Sequence, residues 1–177
     1  MKKLLFLAGL FFAVATASAQ APLEQGGTQL NVGVGLSSWA TPIFIGLDYG
    51  VGHDFTVGGE LSYQSKTNES ELAEFKYTSI GIFVNGNYHF NRILNIPSKV
   101  DLYAGLNLGY YIGSSKITYK FDNEYLRRTV SADSGLSGLG LAAQIGARYF
   151  FTDNFGLNLE LGGGTTSGGK LGITYKF

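Results

Sequence analysis

Few residues in this 177-residue chain have the type and spacing for chemistry. There are two histidines, His53 and His89, and no cysteine. A hydrolytic site needs a nucleophile within reach of an imidazole. Both histidines fall beside short turns at one end of strand-like segments, and neither has an evident serine partner, so no catalytic residue and no enzyme activity is expected. Without cysteine there is no disulfide, no thiolate metal site and no lipid-bearing N-terminal Cys. Two glycine motifs imitate ligand loops. Gly164 to Lys170 spells G-x-x-x-x-G-K, but no Ser or Thr follows the lysine and the segment leads into a strand. Gly135-Leu136-Ser137-Gly138, with Gly140, imitates a dinucleotide turn but lacks the strand–turn–helix context. Nothing implies a cofactor or a bound metal.

The elements around these residues are more informative. Lys2 and Lys3 precede an apolar run from Leu4 to Val14, and Ala17-Ser18-Ala19 has the small-residue pattern of a cleavage site. Residues 1–19 therefore read as a secretory signal peptide that is removed. The apolar run is shorter than the ~20 residues a spanning helix needs. Lys and Arg total 13, Asp and Glu total 13, and the net charge is zero, which gives no reason to expect a nucleic-acid partner. The chain has 26 glycines, aromatics at 14% and charged residues at only 15%. Without a helical period, that composition points to β structure with close backbone approaches.

After a short lead over 20–27, eight segments alternate with period two, the mark of strands with two unlike faces. They fall near 28–37, 42–50, 54–65, 76–90, 99–113, 138–151, 155–163 and 170–177. One face collects Leu30, Val32 and Val34, then Ile43, Ile45 and Leu47, and continues so to Leu171 and Ile173. The other is mostly Gly, Asn, Ser, Thr and Gln. A soluble barrel would place a Lys- and Glu-rich face in water. Small polar residues instead suit the narrow interior of eight strands, with the apolar face turned to lipid. The predicted architecture is all-β: an eight-stranded antiparallel up-and-down transmembrane β-barrel over 28–177.

The connections support this. Val51–Asp54 and Thr152–Asn154 are short, Asn91–Ser98 somewhat longer, and Lys66–Phe75 and Ser114–Ser137 longer again. Short turns at one end and long loops at the other are the asymmetry of outer-membrane barrels. Apolar-face aromatics gather at the short-turn end: Tyr49, Phe55, Tyr88, Phe90, Tyr149, Phe151, Phe155, Tyr175 and Phe177. Rings with a polar edge favour the membrane–water interface, so these form a candidate periplasmic girdle.

The last strand runs Lys170-Leu171-Gly172-Ile173-Thr174-Tyr175-Lys176-Phe177. Lys170, Gly172, Tyr175 and Phe177 resemble the insertion signal read by the barrel-assembly machinery. Residues 28–177 as a whole resemble the small eight-stranded outer-membrane barrels of Gram-negative bacteria, the OmpX type and the OmpA transmembrane domain. The resemblance implies a place in the outer membrane, contact with its lipid and lipopolysaccharide, and roles ranging from adhesion to membrane integrity.

Two sets of residues become candidates within that frame. By strand parity Asp48, Glu60, Asp101 and Glu160 point inward with Lys99, Arg148 and Lys176, and His89 lies near the same end. Unpaired charge in a narrow lumen is costly, so a paired network that closes the pore is expected. Outside, the 114–137 loop carries Lys116, Tyr119, Lys120, Phe121, Tyr125, Arg127 and Arg128. Its alternation from Ile117 to Phe121, with a possible return over Tyr125–Val130, suggests a basic hairpin offering a β edge to a host-surface or protein partner. The expected function is structural and surface-interacting, with a mostly closed polar lumen. Two alternatives stay open: a small channel or hydrophobic-ligand transporter, and a soluble periplasmic lipocalin-like barrel.

Overall fold

The computed structural model describes residues 21–37, 40–119, 129–132, 137–164 and 168–177. The expected leader lies outside these. The strands are β1 (Thr28–Leu36), β2 (Ile43–Gly52), β3 (Phe55–Glu69), β4 (Ala73–His89), β5 (Val100–Tyr119), β6 (Thr129–Ala132), β7 (Gly138–Phe150), β8 (Phe155–Gly164) and β9 (Gly169–Lys176). A short helix, α1 (Asn91–Leu94), follows β4.

All pairings are antiparallel and, apart from β6 and β7, join strands adjacent in sequence, while β1 pairs with β9 from Gln29↔Lys176 to Leu36↔Gly169. That last ladder closes the sheet into a barrel. β7 pairs with β5 from Val100↔Tyr149 to Tyr111↔Gly138, and β6 continues that ladder outward from Ser115↔Ala132 to Thr118↔Thr129. β6 and β7 thus occupy one staff of the barrel, which makes eight staves from nine strands. Closure leaves no free edge at the level where all eight staves meet, as backbone in lipid requires.

The inside and the outside are the reverse of a soluble barrel. Ile45, Leu61, Ile82, Leu108, Leu141, Leu159 and Ile173 all lie on the outer surface and are exposed. Gln29, Asn31, Asp48, Thr56, Asn87, His89, Asp101, Asn107, Gln144, Arg148, Asn158, Thr174 and Lys176 are buried. A wholly apolar outer wall around a polar interior is stable only where hydrocarbon covers the wall. The Leu, Val and Ile faces therefore do not line a pocket, as a lipocalin-like barrel would need. No helix among the described residues is long and apolar enough to cross a membrane; this barrel crosses with strands.

The strand ends differ from the alternation limits in an informative way. β3 and β4 run on to Glu69 and start back at Ala73, where a ten-residue loop was expected over 66–75. β5 continues to Tyr119. Polar residues such as Lys66, Thr67 and Asn68 give no apolar alternation to read, yet backbone pairing alone extends the ladder.

Candidate functional site

The lumen holds two charged clusters at different depths. The lower lies near the short-turn end. Arg148, on β7, donates from one guanidinium nitrogen to Asp101 Oδ2 at 3.0 Å and from the other to Asp48 Oδ2 at 2.8 Å. Asp101 is on the neighbouring strand β5, whereas Asp48 reaches in from β2 across the barrel. Asn31 Nδ2 also donates to Asp48, at 2.9 Å. His89 Nδ1 lies 2.7 Å from Asp101 Oδ1, and its Nε2 lies 3.1 Å from Thr56 Oγ1.

The upper cluster is built around Lys170. Its ammonium donates to both oxygens of Glu60, at 2.8 and 2.6 Å, and lies 3.4 Å from Glu160. The Phe44 ring sits beneath the same ammonium, 5.3 Å from its centroid. Tyr103 joins the two clusters. Its ring faces the Arg148 guanidinium at 4.1 Å, and its hydroxyl donates to Glu160 Oε1 at 2.6 Å. That ring fits because position 146 is glycine: a Cβ there would stand 2.2 Å from the Tyr103 ring. Between strands β4, β5 and β7 an amide relay adds Asn107 to Gln144 at 2.5 Å and Gln144 to Asn87 at 2.8 Å.

Of the seven charged residues placed inward by parity, Asp48, Asp101 and Arg148 meet in the lower cluster. Glu60 and Glu160 meet through Lys170. Lys176 is buried with its ammonium 3.7 Å from the centroid of the Phe150 ring. Lys99 is a correction. It lies one residue before β5 and is exposed, because the chain has not yet joined the ladder after Pro97. The third base is Lys170 instead. Sequence reading had placed Lys170 in the terminal signal, although its parity with Gly172 and Thr174 already set it inward. Phe44 and Tyr103 share the inward parity and Phe150 continues that of Arg148, but without charge nothing marks these buried rings as members of the lumen network.

Thr56, His89 and Asp101 follow the hydroxyl–imidazole–carboxylate order of a nucleophilic triad. The resemblance stops at access. The three are 1%, 0% and 1% exposed, and the second oxygen of Asp101 is held by Arg148. Enclosed in this way, the arrangement is a hydrogen-bonded packing unit. His53 sits exposed in the turn between β2 and β3, with φ of 54°. Among the described residues no group of His, Cys, Asp and Glu could hold a metal ion.

The nine aromatics lie near the short-turn end, and eight of them touch in three separate groups. Phe55 meets Tyr88 at 4.9 Å and Tyr88 meets Phe90 at 5.2 Å. Tyr149 meets Phe151 at 5.3 Å, and Phe151 meets Phe155 at 6.4 Å. Tyr175 and Phe177 pair edge-on at 5.2 Å. Tyr49 is opposite Val57 in the same zone.

At the opposite end the sheet is uneven. β1 and β2 stop near Leu36 and Ile43, while β3, β4, β5 and β6 rise beyond them. Above Tyr63↔Ile43, β3 has no partner from β2, so Gln64 to Glu69 pair only with β4. β5 is covered on both sides, by β4 and β6. Among the described residues, open edges therefore belong to β3 and to the outer side of β6, which pairs only with β5. The described part of the return strand is Thr129–Ala132, which overlaps the expected 125–130, and residues 125–128 lie outside the described residues. Lys116 and Tyr119 are exposed on β5. Lys120, Phe121, Tyr125, Arg127 and Arg128 lie outside the described residues. Lys116 faces Lys76 of β4 directly across the ladder.

Comparison with known proteins agrees with this architecture. The chain is similar to Ail, the attachment invasion locus protein of Yersinia pestis, at 18% identity and a TM-score of 0.55, over 86% of this chain and 99% of that one. A second structure of Ail, in complex with the heparin analogue sucrose octasulfate, matches at 17% identity with a TM-score of 0.55 and the same coverage. The outer membrane protein OprG of Pseudomonas aeruginosa matches at 12% identity and a TM-score of 0.53, over 88% of this chain and 97% of that one. Likeness at these identities speaks for the fold. No functionally curated protein matches the sequence. The model of the outer membrane protein beta-barrel domain matches residues 5–177. With that match over nearly the whole length and a barrel that is apolar outside and polar within, the chain belongs to the outer membrane β-barrel domain family and is a protein of the bacterial outer membrane.

Proposed function

We propose that this protein is a closed-lumen barrel that works at its outer surface, by holding a polyanionic partner on the sheet that rises above the membrane. The observation that carries the reading is the Lys76–Lys116 pair. Like charges directly opposite on a ladder repel. Here both side chains are exposed on β4 and β5, at the level where the sheet has outgrown β1 and β2. An anion bridging the two ammonium groups would relieve that repulsion. Thr67 stands opposite Lys76 on β3, and an exposed hydroxyl donor there suits sulfate or phosphate oxygens. Ail, of similar fold, has been solved with a heparin analogue, which supports an anionic partner for an outer surface of this kind. The lipopolysaccharide of the same membrane offers phosphate with similar geometry. The unpaired edge of β3 gives a protein partner a second means of attachment.

A closed lumen fits this role better than transport does. Glu60, Lys170, Glu160, Tyr103, Arg148 and the two aspartates tie strands from opposite sides of the barrel together, and a solute would have to break these bonds to pass. No catalytic role is proposed. The test is titration of the detergent-refolded protein with sucrose octasulfate by calorimetry. Saturable binding is expected, weakened at least tenfold in Lys76→Glu/Lys116→Glu. Binding that is absent, or unchanged in that variant, would count against the reading.

A further inference from the structure

The inference concerns residues 21–27, which precede β1 and carry no alternation. They do not hang free below the barrel. Ala21 N–H donates to Ser98 O at 3.0 Å. Ser98 lies just before β5, and in a ring of eight staves β5 stands opposite β1. The segment therefore leaves β1 and reaches the far side of the short-turn mouth. Eight strands spaced ~4.8 Å apart and tilted ~40° enclose a ring roughly 16 Å across. Seven residues can extend about 25 Å, which allows the crossing with slack for one turn.

That turn is fixed on the near side. Gly26 N–H donates to Gly50 O at 2.9 Å, Gly50 N–H donates to Gly27 O at 3.0 Å, and Gly27 N–H donates to Glu24 O at 3.0 Å. Gly26 has φ of 85°, in the left-handed region. The seat is tight enough to require glycine at position 50, where a Cβ would stand 2.0 Å from Glu24 O. Along the crossing, Ala21 and Leu23 are buried, whereas Glu24 and Gln25 face water. The lumen residues nearest this mouth, Gln29, Thr56, His89, Asp101 and Lys176, are 0–1% exposed. Polar groups beside an open aqueous mouth would not be so fully withdrawn.

We infer that residues 21–27 form a strap that seals the periplasmic mouth of the barrel, with Leu23 as its stopper and Gly50 as its seat. The inference deepens the closed-lumen part of the proposed function and rests on it. The strap adds a second barrier, below the charged clusters, and it is a separable one: it is held by a few backbone hydrogen bonds and one apolar side chain, so it can lift while the barrel stays folded.

Because the chain has no cysteine, a single Gln29→Cys reports on the mouth alone. The protein is refolded in detergent, and its reaction with a charged, water-soluble maleimide is timed. Two variants displace the strap: Leu23→Asp, which puts charge in place of the stopper, and Gly50→Ala, which obstructs the seat. Folding is checked by the gel shift between unboiled and boiled samples. Slow labelling is expected with the strap intact, at least tenfold faster in either folded variant. Equal rates with and without the strap lesion, or labelling of the intact protein as fast as of the unfolded chain, would overturn the inference. If Gly50→Ala does not fold, Leu23→Asp decides, since it alters only a side chain at the mouth. Planar-bilayer conductance separates this from the reading beneath it. Fast labelling without conductance keeps the charged plug. Conductance in the strapped protein would remove the closed lumen, whatever the labelling rate.

Discussion

At the scale of single residues, the interior is organised by charges that cannot reach water. Arg148 shows this most clearly: it is 2% exposed, and its two carboxylate partners come from strands on different sides of the barrel. Removing it leaves Asp48 and Asp101 buried without a cation. Breaking a buried pair in this way costs about 3–5 kcal/mol. Arg148→Met is therefore expected to lower the urea midpoint of the barrel in lipid vesicles by an amount corresponding to that loss. A midpoint unchanged within error would mean that water already solvates the two aspartates. This layer was partly legible in advance. Parity alone puts Asp48, Asp101, Glu60, Glu160, Arg148 and Lys176 inside, because side chains alternate strictly along a strand. Parity does not say who meets whom. Pairing across a barrel depends on stagger between strands, and sequence carries no direct trace of that. Lys99 shows a second limit, since parity holds only once the residue has entered the ladder.

At the scale of elements, each stave has a lipid side and a lumen side, and the two obey different rules. Leu159, on β8, is half exposed on the outer wall, far from either rim. An arginine at mid-depth on the lipid face costs about 2–4 kcal/mol, falling towards zero near the interfaces. Leu159→Arg should thus destabilise the barrel in vesicles by that order. Lys76→Glu, on the part of β4 above the membrane, should leave stability nearly unchanged. The difference between the two chemical-denaturation midpoints is the measurement, and similar costs at both sites would mean that the wall has been misplaced. The wall was the most legible feature of the sequence, because Leu, Val and Ile repeat at period two with no charge among them. The extensions of β3, β4 and β5 were the least legible. In water a strand needs no apolar face if its backbone is paired, so Lys66–Glu69 and Ser114–Lys116 carry no pattern that marks them as strand, and only the alternation from Ile117 onward does.

At the scale of the whole molecule, three features act together. Aromatics line one rim of the outer wall, ion pairs cross the lumen, and the sheet is taller on one side. The uneven height lies in the strands themselves, since β3, β4 and β5 run 15, 17 and 20 residues against 9 and 10 for β1 and β2. The proposed binding role belongs to the tall side, where Lys76, Lys116 and the open edge of β3 lie. The terminal strand contributes twice. Tyr175 and Phe177 belong to the rim, and Lys170 belongs to the lumen, where it closes the upper cluster.

The claim under all of this is that the Leu, Val and Ile wall needs hydrocarbon around it. The direct test is refolding of the chain without its first 19 residues, with and without detergent, followed by gel electrophoresis of boiled and unboiled samples. The account predicts a separate, shifted band in the unboiled sample only when detergent is present. A chain that folds in plain buffer, with the same mobility shift and no detergent, would contradict it.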